Sequence, residues 1–246
     1  MKHVIKYESP YEYGNFSSED RKEGRFYDCN GTKLPSVTTI LSATKKDKES
    51  LTRWIERVGE EEANRIRDEA AARGSHVHYI LEKQIVHGDL WDYRPDSGEE
   101  KHAYKMACKI MDEGFPRISQ VYGCEVSLYN PDKYAGRADV VGVFEGEPAI
   151  MDFKQTNKPK KREWIEDYFC QLAAYALAHN ELYGTNIQKG VILMCSVDLI
   201  YQEFVIQGDE FKRCADLWLE RVAEYQKEVS NIVGGKDCLL YTSPSP

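Results

Sequence analysis

The chain has 246 residues, 41% of them hydrophobic, and 33 Lys and Arg against 41 Asp and Glu give a formal net charge of -8. A fold of this size hides roughly 70% of the surface its unfolded chain would expose, so it builds a core without cross-links. The acidic balance argues against a generally adhesive nucleic-acid or anionic-membrane binder. No apolar run approaches the ~20 residues of a membrane span, and Met1-Lys2-His3-Val4-Ile5-Lys6 lacks the apolar stretch of a secretory signal, so an intracellular protein is expected.

In chain order, residues 1–33 are polar and rich in aromatic side chains, with Gly14, Gly24 and Gly31 as breakers, and read as an irregular lead or short hairpin. Leu34-Pro-Ser-Val-Thr-Thr-Ile-Leu41 opens a short helix with Pro35 or Ser36 near its start. A basic link containing Lys45, Lys46 and Lys48 leads into a helix over 49–73, where Leu51, Trp54, Ile55 and Val58 recur at helical spacing. A second helix over 74–87 follows, and another spans 98–121 with interruptions near Gly114 and Pro116. Three strand-like runs come next, over 124–129, 136–144 and 149–154, then a helix over 163–183, strands over 187–196 and 200–206, and a last amphipathic helix over 209–229 before Gly234-Gly235. Residues 238–246 have no periodicity and match the in-frame translation of a sequencing adapter, so they are set aside and the true chain is expected to end near Asp237 or to be truncated there.

The expected organisation is a lead (1–33) and one domain (34–237), with a helical part over 34–122 and a sheet core with its C-terminal helix over 123–237. Helices before and within a hairpin-rich sheet make the fold class α+β. The seven cysteines are odd in number, scattered, and never in a Cys-x-x-Cys pair, so they read as free thiols and not as a zinc site or disulfide framework.

Chemistry concentrates in residues 136–154. On a strand, Asp152 and Lys154 project from one face. If Ala149 pairs with Phe144 across a four-residue loop, Asp139 falls opposite Lys154, and Pro148, which has no N–H to close a tighter turn, favours that loop. Parity then places Asp139, Asp152 and Lys154 on one face, a set suited to a hard divalent cation beside a fixed positive charge. Asp-x-Lys alone equally suits an ordinary ion pair. Its company distinguishes it. Gly74, His78 and Glu82 share one helix face, Gly74 lets another backbone come close, and His78 is placed to complete a metal sphere. Gln171 and Tyr175 share a face of a later helix.

Gly-x-x-x-His, Gly-x-x-Asp, Asp-x-Lys and Gln-x-x-x-Tyr, in this order on α-β-β-β-α-β, resemble the PD-(D/E)XK nuclease superfamily in its RecB-like exonuclease branch. Within that branch the mitochondrial genome maintenance exonuclease family and its phage-like relatives are most similar, with the likeness extending over about 34–228. The resemblance implies a restriction-endonuclease-like core with an N-terminal helical elaboration. It implies that His78, Asp139, Asp152 and the carbonyl of Phe153 bind Mg²⁺ or Mn²⁺, that Lys154 orients or deprotonates the attacking water, and that Gln171 and Tyr175 support the site. Asp152 stands where much of the superfamily has Glu. The CRISPR adaptation nucleases of the branch hold an iron–sulfur cluster on four Cys, three of them near the C-terminus. Here only Cys195 and Cys214 lie nearby before the tail, so no cluster is expected.

The expected partner is DNA, through single-stranded ends. Lys158, Lys160, Lys161 and Arg162 follow the catalytic strand with Trp164 alongside, and Lys45, Lys46, Lys48, Arg53 and Arg57 precede the His78 helix. Basic residues interleaved with aromatics suit phosphates that track the charge and bases that stack. Ser36, Thr38 and Arg73 join them as DNA-binding candidates. The resemblance implies a helical arch before Gly74 through which a free end threads, hence exonuclease action in DNA repair, recombination or replication, by a monomer in the cytoplasm of a bacterial or phage-infected cell. Two alternatives remain: a structure-selective, resolvase-like endonuclease, and a catalytically idle DNA-binding subunit of a recombination complex.

Overall fold

A computed structural model describes residues 5–46, 49–88, 93–95 and 98–237. The chain starts with β1 (Lys6–Tyr7), then β2 (Ser18–Arg21), β3 (Gly24–Cys29) and β4 (Thr32–Pro35). The helices α1 (Val37–Ala43), α2 (Glu49–Val58), α3 (Glu60–His87) and α4 (Gly98–Gly114) follow. Next come β5 (Ile118–Asn130), β6 (Tyr134–Phe144), β7 (Glu147–Thr156), α5 (Glu166–Tyr183), β8 (Lys189–Ser196), β9 (Tyr201–Gln207) and α6 (Gly208–Asp237).

The architecture is α+β: a mixed six-stranded sheet in the order β1-β5-β6-β7-β8-β9, flanked by helices, with a separate antiparallel sheet β2-β3-β4. β1 runs parallel to β5 and β7 parallel to β8, while β5, β6 and β7 form an antiparallel meander and β9 returns antiparallel on β8. Every residue of β8 is buried, as a strand covered on both faces requires. One core joins α1, α5 and α6 to the sheet through Phe169, Leu172, Ile192 and Trp218. The other packs α3 and α4 through Val77, Leu81, Met106 and Ile110 against Val140, Met151 and Leu193. No described helix is long and apolar enough to cross a membrane.

Ser36 caps α1 as its residue type predicts, accepting the Thr39 N–H at 2.9 Å. Elsewhere the structure corrects the sequence reading. Of the two readings of residues 1–33, the hairpin is the one formed: β2 and β3 pair antiparallel, and β4 adds to them around Tyr27, Cys29 and Leu34, so Leu34 and Pro35 are strand and not the opening of α1. The helix break falls at Gly59, whose φ of 89° suits glycine alone, and α3 runs unbroken through Gly74. α4 ends at Gly114 and a 3-10 turn over Phe115–Arg117 leads into β5, so residues 118–121 are strand; Ile118 and Val121 are apolar enough for either structure and sheet pairing decides. α6 continues past Val229 and through Gly234-Gly235 to Asp237. The six described cysteines are free thiols. Lys48 and the tail over 238–246 lie outside the described residues.

Candidate active site

β6 and β7 turn more tightly than the sequence suggests. Phe144 pairs with Glu147, and Glu145 and Gly146 form a two-residue turn with φ of 50° and 81°. Pro148 faces Val143 at a pair that makes no ladder hydrogen bond across this hairpin, so its missing N–H costs nothing there. The register therefore sets Asp139 level with Asp152, one step beyond the Val140–Met151 pair, and not with Lys154. Because the difference is two residues, parity is preserved and all three side chains still share a face.

A third acid that the sequence reading missed joins them. The β5–β6 register brackets Glu125 against Asp139, between the Cys124–Val140 and Val126–Ala138 pairs. Glu125, Asp139 and Asp152 thus stand in a row across three adjacent strands. Glu125 adopts a left-handed backbone with φ 51°, a conformation that costs a non-glycine residue about 1 kcal/mol or more. Folding the chain at Asn130-Pro131-Asp132 would have exposed the alignment, since the observed pairing closes there, with Asn130 on Tyr134.

α3 delivers His78 over the row, with Nδ1 3.3 Å from Asp139 Oδ2. Ligand atoms of His78, Glu125 and Asp139 all lie within 4.8 Å of one another. Asp139 Oδ2 also accepts the Phe153 N–H at 2.8 Å. Asp152 lies beneath at 1% exposure, its Oδ2 ion-paired with Lys154 Nζ, yet among the described residues neither carboxylate oxygen has a hydrogen bond of sound geometry. A buried carboxylate whose sole partner among the described residues is one ammonium is costly. Two carboxylates and one imidazole with ligand atoms within 4.8 Å of one another, and the Asp152 carboxylate on the adjacent strand, fit a hard divalent cation such as Mg²⁺ or Mn²⁺.

The charges interlock. Burial alone would lower the proton affinity of His78, but the Asp139 carboxylate outweighs it and raises the pKa to about 9. Asp139 is held below the ordinary carboxylate value despite its burial by His78, Lys154 and the Phe153 N–H. Burial lifts Asp152 to about 6, against the pull of Lys154. Glu125 rises to about 7 through burial and the neighbouring Asp139 charge. Lys154 keeps its proton more firmly than a free lysine because Asp152 and Asp139 overcome its desolvation.

A cavity of about 630 Å³ opens over the cluster. Gln171 and Tyr175 line it from α5, joined by a 3.3 Å hydrogen bond from Gln171 Nε2 to the Tyr175 hydroxyl. Tyr168, also unforeseen, stands one turn earlier on that face, with Lys154 Nζ 5.1 Å from its ring centre. Its spacing from Gln171 and Tyr175 was the available signal. Tyr175 explains the glycine before the Asp139 strand segment: a Cβ on Gly136 would lie 2.7 Å from its ring. Gly74 is different, since a Cβ there would meet only the Gln155 side chain at 3.6 Å, so no other backbone approaches it as expected.

Among the DNA-binding candidates, Ser36 and Thr38 line the cavity. Arg73 hydrogen-bonds Gln155 and Asn157. The basic run after β7 lies outside the cavity lining. Arg162 pairs with Glu210 and donates to the Val205 carbonyl, Lys161 lies 5.2 Å over the exposed Trp164 ring, and Lys160 exchanges backbone hydrogen bonds with Gln202. The Lys158 carbonyl accepts the Thr156 hydroxyl. Lys45, Lys46 and Trp164 share a second, smaller cavity of about 180 Å³ with Glu163, Glu166 and Asp167.

No family model matches the chain. Known proteins nevertheless resemble it, and their names agree. Mitochondrial genome maintenance exonuclease 1 of Mus musculus is 26% identical over 212 residues, covering 81% of this chain and 61% of its own length. The Xenopus tropicalis protein of that name is 26% identical over 214 residues, and the Homo sapiens protein is 24% identical over 215. The chain thus spans about 60% of the length of these curated relatives. In fold it is similar to the crystal structure of a candidate exonuclease from Eubacterium rectale, with a TM-score of 0.50, 15% identity, and coverage of 72% of this chain and 76% of that one.

Proposed function

We propose that the chain is a metal-dependent deoxyribonuclease of the PD-(D/E)XK type, with a restriction-endonuclease-like core, that removes nucleotides from single-stranded DNA ends. The observation that carries this reading is the row of Glu125, Asp139 and Asp152 under His78, with the unsatisfied Asp152 carboxylate beside Lys154. Relatives named as exonucleases over four fifths of the chain support it.

His78, Asp139, Asp152 and the Phe153 carbonyl would hold Mg²⁺ or Mn²⁺, with Glu125 as a further oxygen donor. Such an ion supplies Lewis acidity to a phosphoryl oxygen and lowers the pKa of a water. Asp139 is oriented for its role by the Phe153 N–H. Lys154, kept protonated by the two aspartates, presents fixed positive charge where negative charge develops on the phosphate. The Tyr168 ring beneath its ammonium limits its wandering. Gln171 and Tyr175 offer an amide and a hydroxyl to the scissile strand from the opposite wall. Trp164 with Lys161 supplies an exposed ring and a charge on which an outgoing strand would stack, and the helices before Gly74 would admit a free end.

The test compares labelled single strands, duplexes and closed single-stranded circles with Mg²⁺, Mn²⁺ or a chelator. Linear single strands are expected to shorten from an end only when metal is present, and Lys154→Ala is expected to lower kcat by about 10² or more. Full activity in the chelator, or in Lys154→Ala, would overturn the assignment.

A further inference from the structure

Apolar packing secures only part of α3. Val77, Ile80, Leu81 and Ile85 are buried against the sheet and α4, and Ala63 is buried near the start of the helix, whereas none of residues 64–76 is buried. Those thirteen helical residues at 1.5 Å each make about 20 Å of helix without a buried side chain. Ala70, Ala71, Gly74 and Ser75 of that stretch flank the cavity that Lys154 lines.

One side chain fastens the stretch to the catalytic strand. Gln155, the residue after Lys154, donates from Nε2 to the Ala70 carbonyl at 2.8 Å and accepts from Arg73 Nε at 2.8 Å. Arg73 Nη2 extends the tie to Asn157 Oδ1. A primary amide can donate to the helix carbonyl and accept from the guanidinium at once, and the amide packs against Gly74 at ordinary contact distance. His78 is independently placed by the buried neighbours Val77, Ile80 and Leu81, so the tie acts on the cavity wall and leaves the metal cluster alone.

We propose that Gln155 is a specificity-determining positioning residue. Through Ala70 and Arg73 it latches this core-free stretch of α3 beside the cavity, and so sets how tightly a strand is held and how strongly a free end is preferred over a closed circle. A pinned wall obliges a strand to enter lengthwise; an unpinned one swings aside and admits it laterally. The inference rests on the nuclease reading above.

The test uses the full chain with Mn²⁺ and one single-stranded sequence, either linear or circularised. In Gln155→Leu, of similar size but without donor or acceptor, KM for the linear strand is expected to rise about three- to tenfold, as the loss of one or two net hydrogen bonds implies. The linear-to-circle rate ratio is expected to fall by a similar factor, with kcat within about twofold and calorimetric Mn²⁺ affinity unchanged. Asn157→Ala removes the far anchor of Arg73, lies outside the cavity lining, and serves if Gln155→Leu fails to fold. The two changes together are expected to cost little more than either alone, as members of one unit do. A folded variant with unchanged KM and unchanged circle discrimination overturns the latch, as does a loss confined to kcat or to Mn²⁺ affinity. Wild-type protein that cuts neither substrate removes the nuclease reading itself.

Discussion

Replacing Asp152 with Asn isolates a buried charge whose proton affinity the fold raises. The carboxylate is 1% exposed, has the Lys154 ammonium as its ion-pair partner, and its pKa is lifted from 3.8 to about 6, chiefly by burial. At about 1.4 kcal/mol for each tenfold change in proton affinity, that displacement is worth about 3 kcal/mol. The folded form binds the proton more tightly than the unfolded form. Stability from this group is therefore greatest below pH 3.8, declines as pH rises to about 6, and is level above that. In a chain of this length about 3 kcal/mol corresponds to a Tm change on the order of 10 °C. The assay is thermal unfolding of wild type and Asp152→Asn in a chelator between pH 4 and 7. The wild type is expected to lose on the order of 10 °C relative to the variant across that range. The Lys154 partner lost in the variant adds an offset and leaves the relative slope intact. Saturating Mn²⁺ is expected to abolish the wild-type decline, because the ion selects the ionised carboxylate. Parallel pH profiles in the chelator would refute the reasoning.

Glu125→Gln removes one carboxylate from the row and is expected to weaken Mn²⁺ binding about tenfold by calorimetry, in the range seen when a group supporting a metal site is lost; an unchanged affinity would take Glu125 out of the site. Mn²⁺ affinity of the wild type is expected to climb between pH 6 and 8, because Asp152 at about 6, Glu125 at about 7 and His78 at about 9 must surrender protons. The same titration in buffers of different ionisation enthalpy should register proton release, and a flat dependence would contradict the ligand set. Gly136→Ala sets a Cβ 2.7 Å from the Tyr175 ring and is expected to cost about 1–3 kcal/mol in denaturant unfolding, relieved by adding Tyr175→Leu. A stable Gly136→Ala single variant would show that the ring moves aside.

The site was legible wherever its logic is local. Alternation along β7 puts Asp152 and Lys154 together, and the four-residue spacing on α5 pairs Gln171 with Tyr175. Even the misplaced hairpin register kept Asp139 on the right face, because the error was an even number of residues. Glu125 was lost because its role depends on which residue of β6 lies opposite and on a left-handed backbone. Residues 18–35 were left between an irregular lead and a short hairpin because a small, poorly buried sheet shows weak alternation, and its few buried side chains pack against residues far along the chain, such as Ala135.

By itself, then, the sequence determined the α+β class, the main run of helices and strands, and several of the residues around the cavity, since helix and strand periodicities are properties of neighbours in the chain. Tertiary structure alone decided that three acids align across three strands, that burial separates Asp152 at about 6 from an Asp139 held low, and that Gln155 ties α3 to β7. It also decided that Arg162 is held by Glu210 and Val205, away from the cavity. Those outcomes depend on contacts between segments distant in sequence and on the low dielectric they create, which no local spacing encodes.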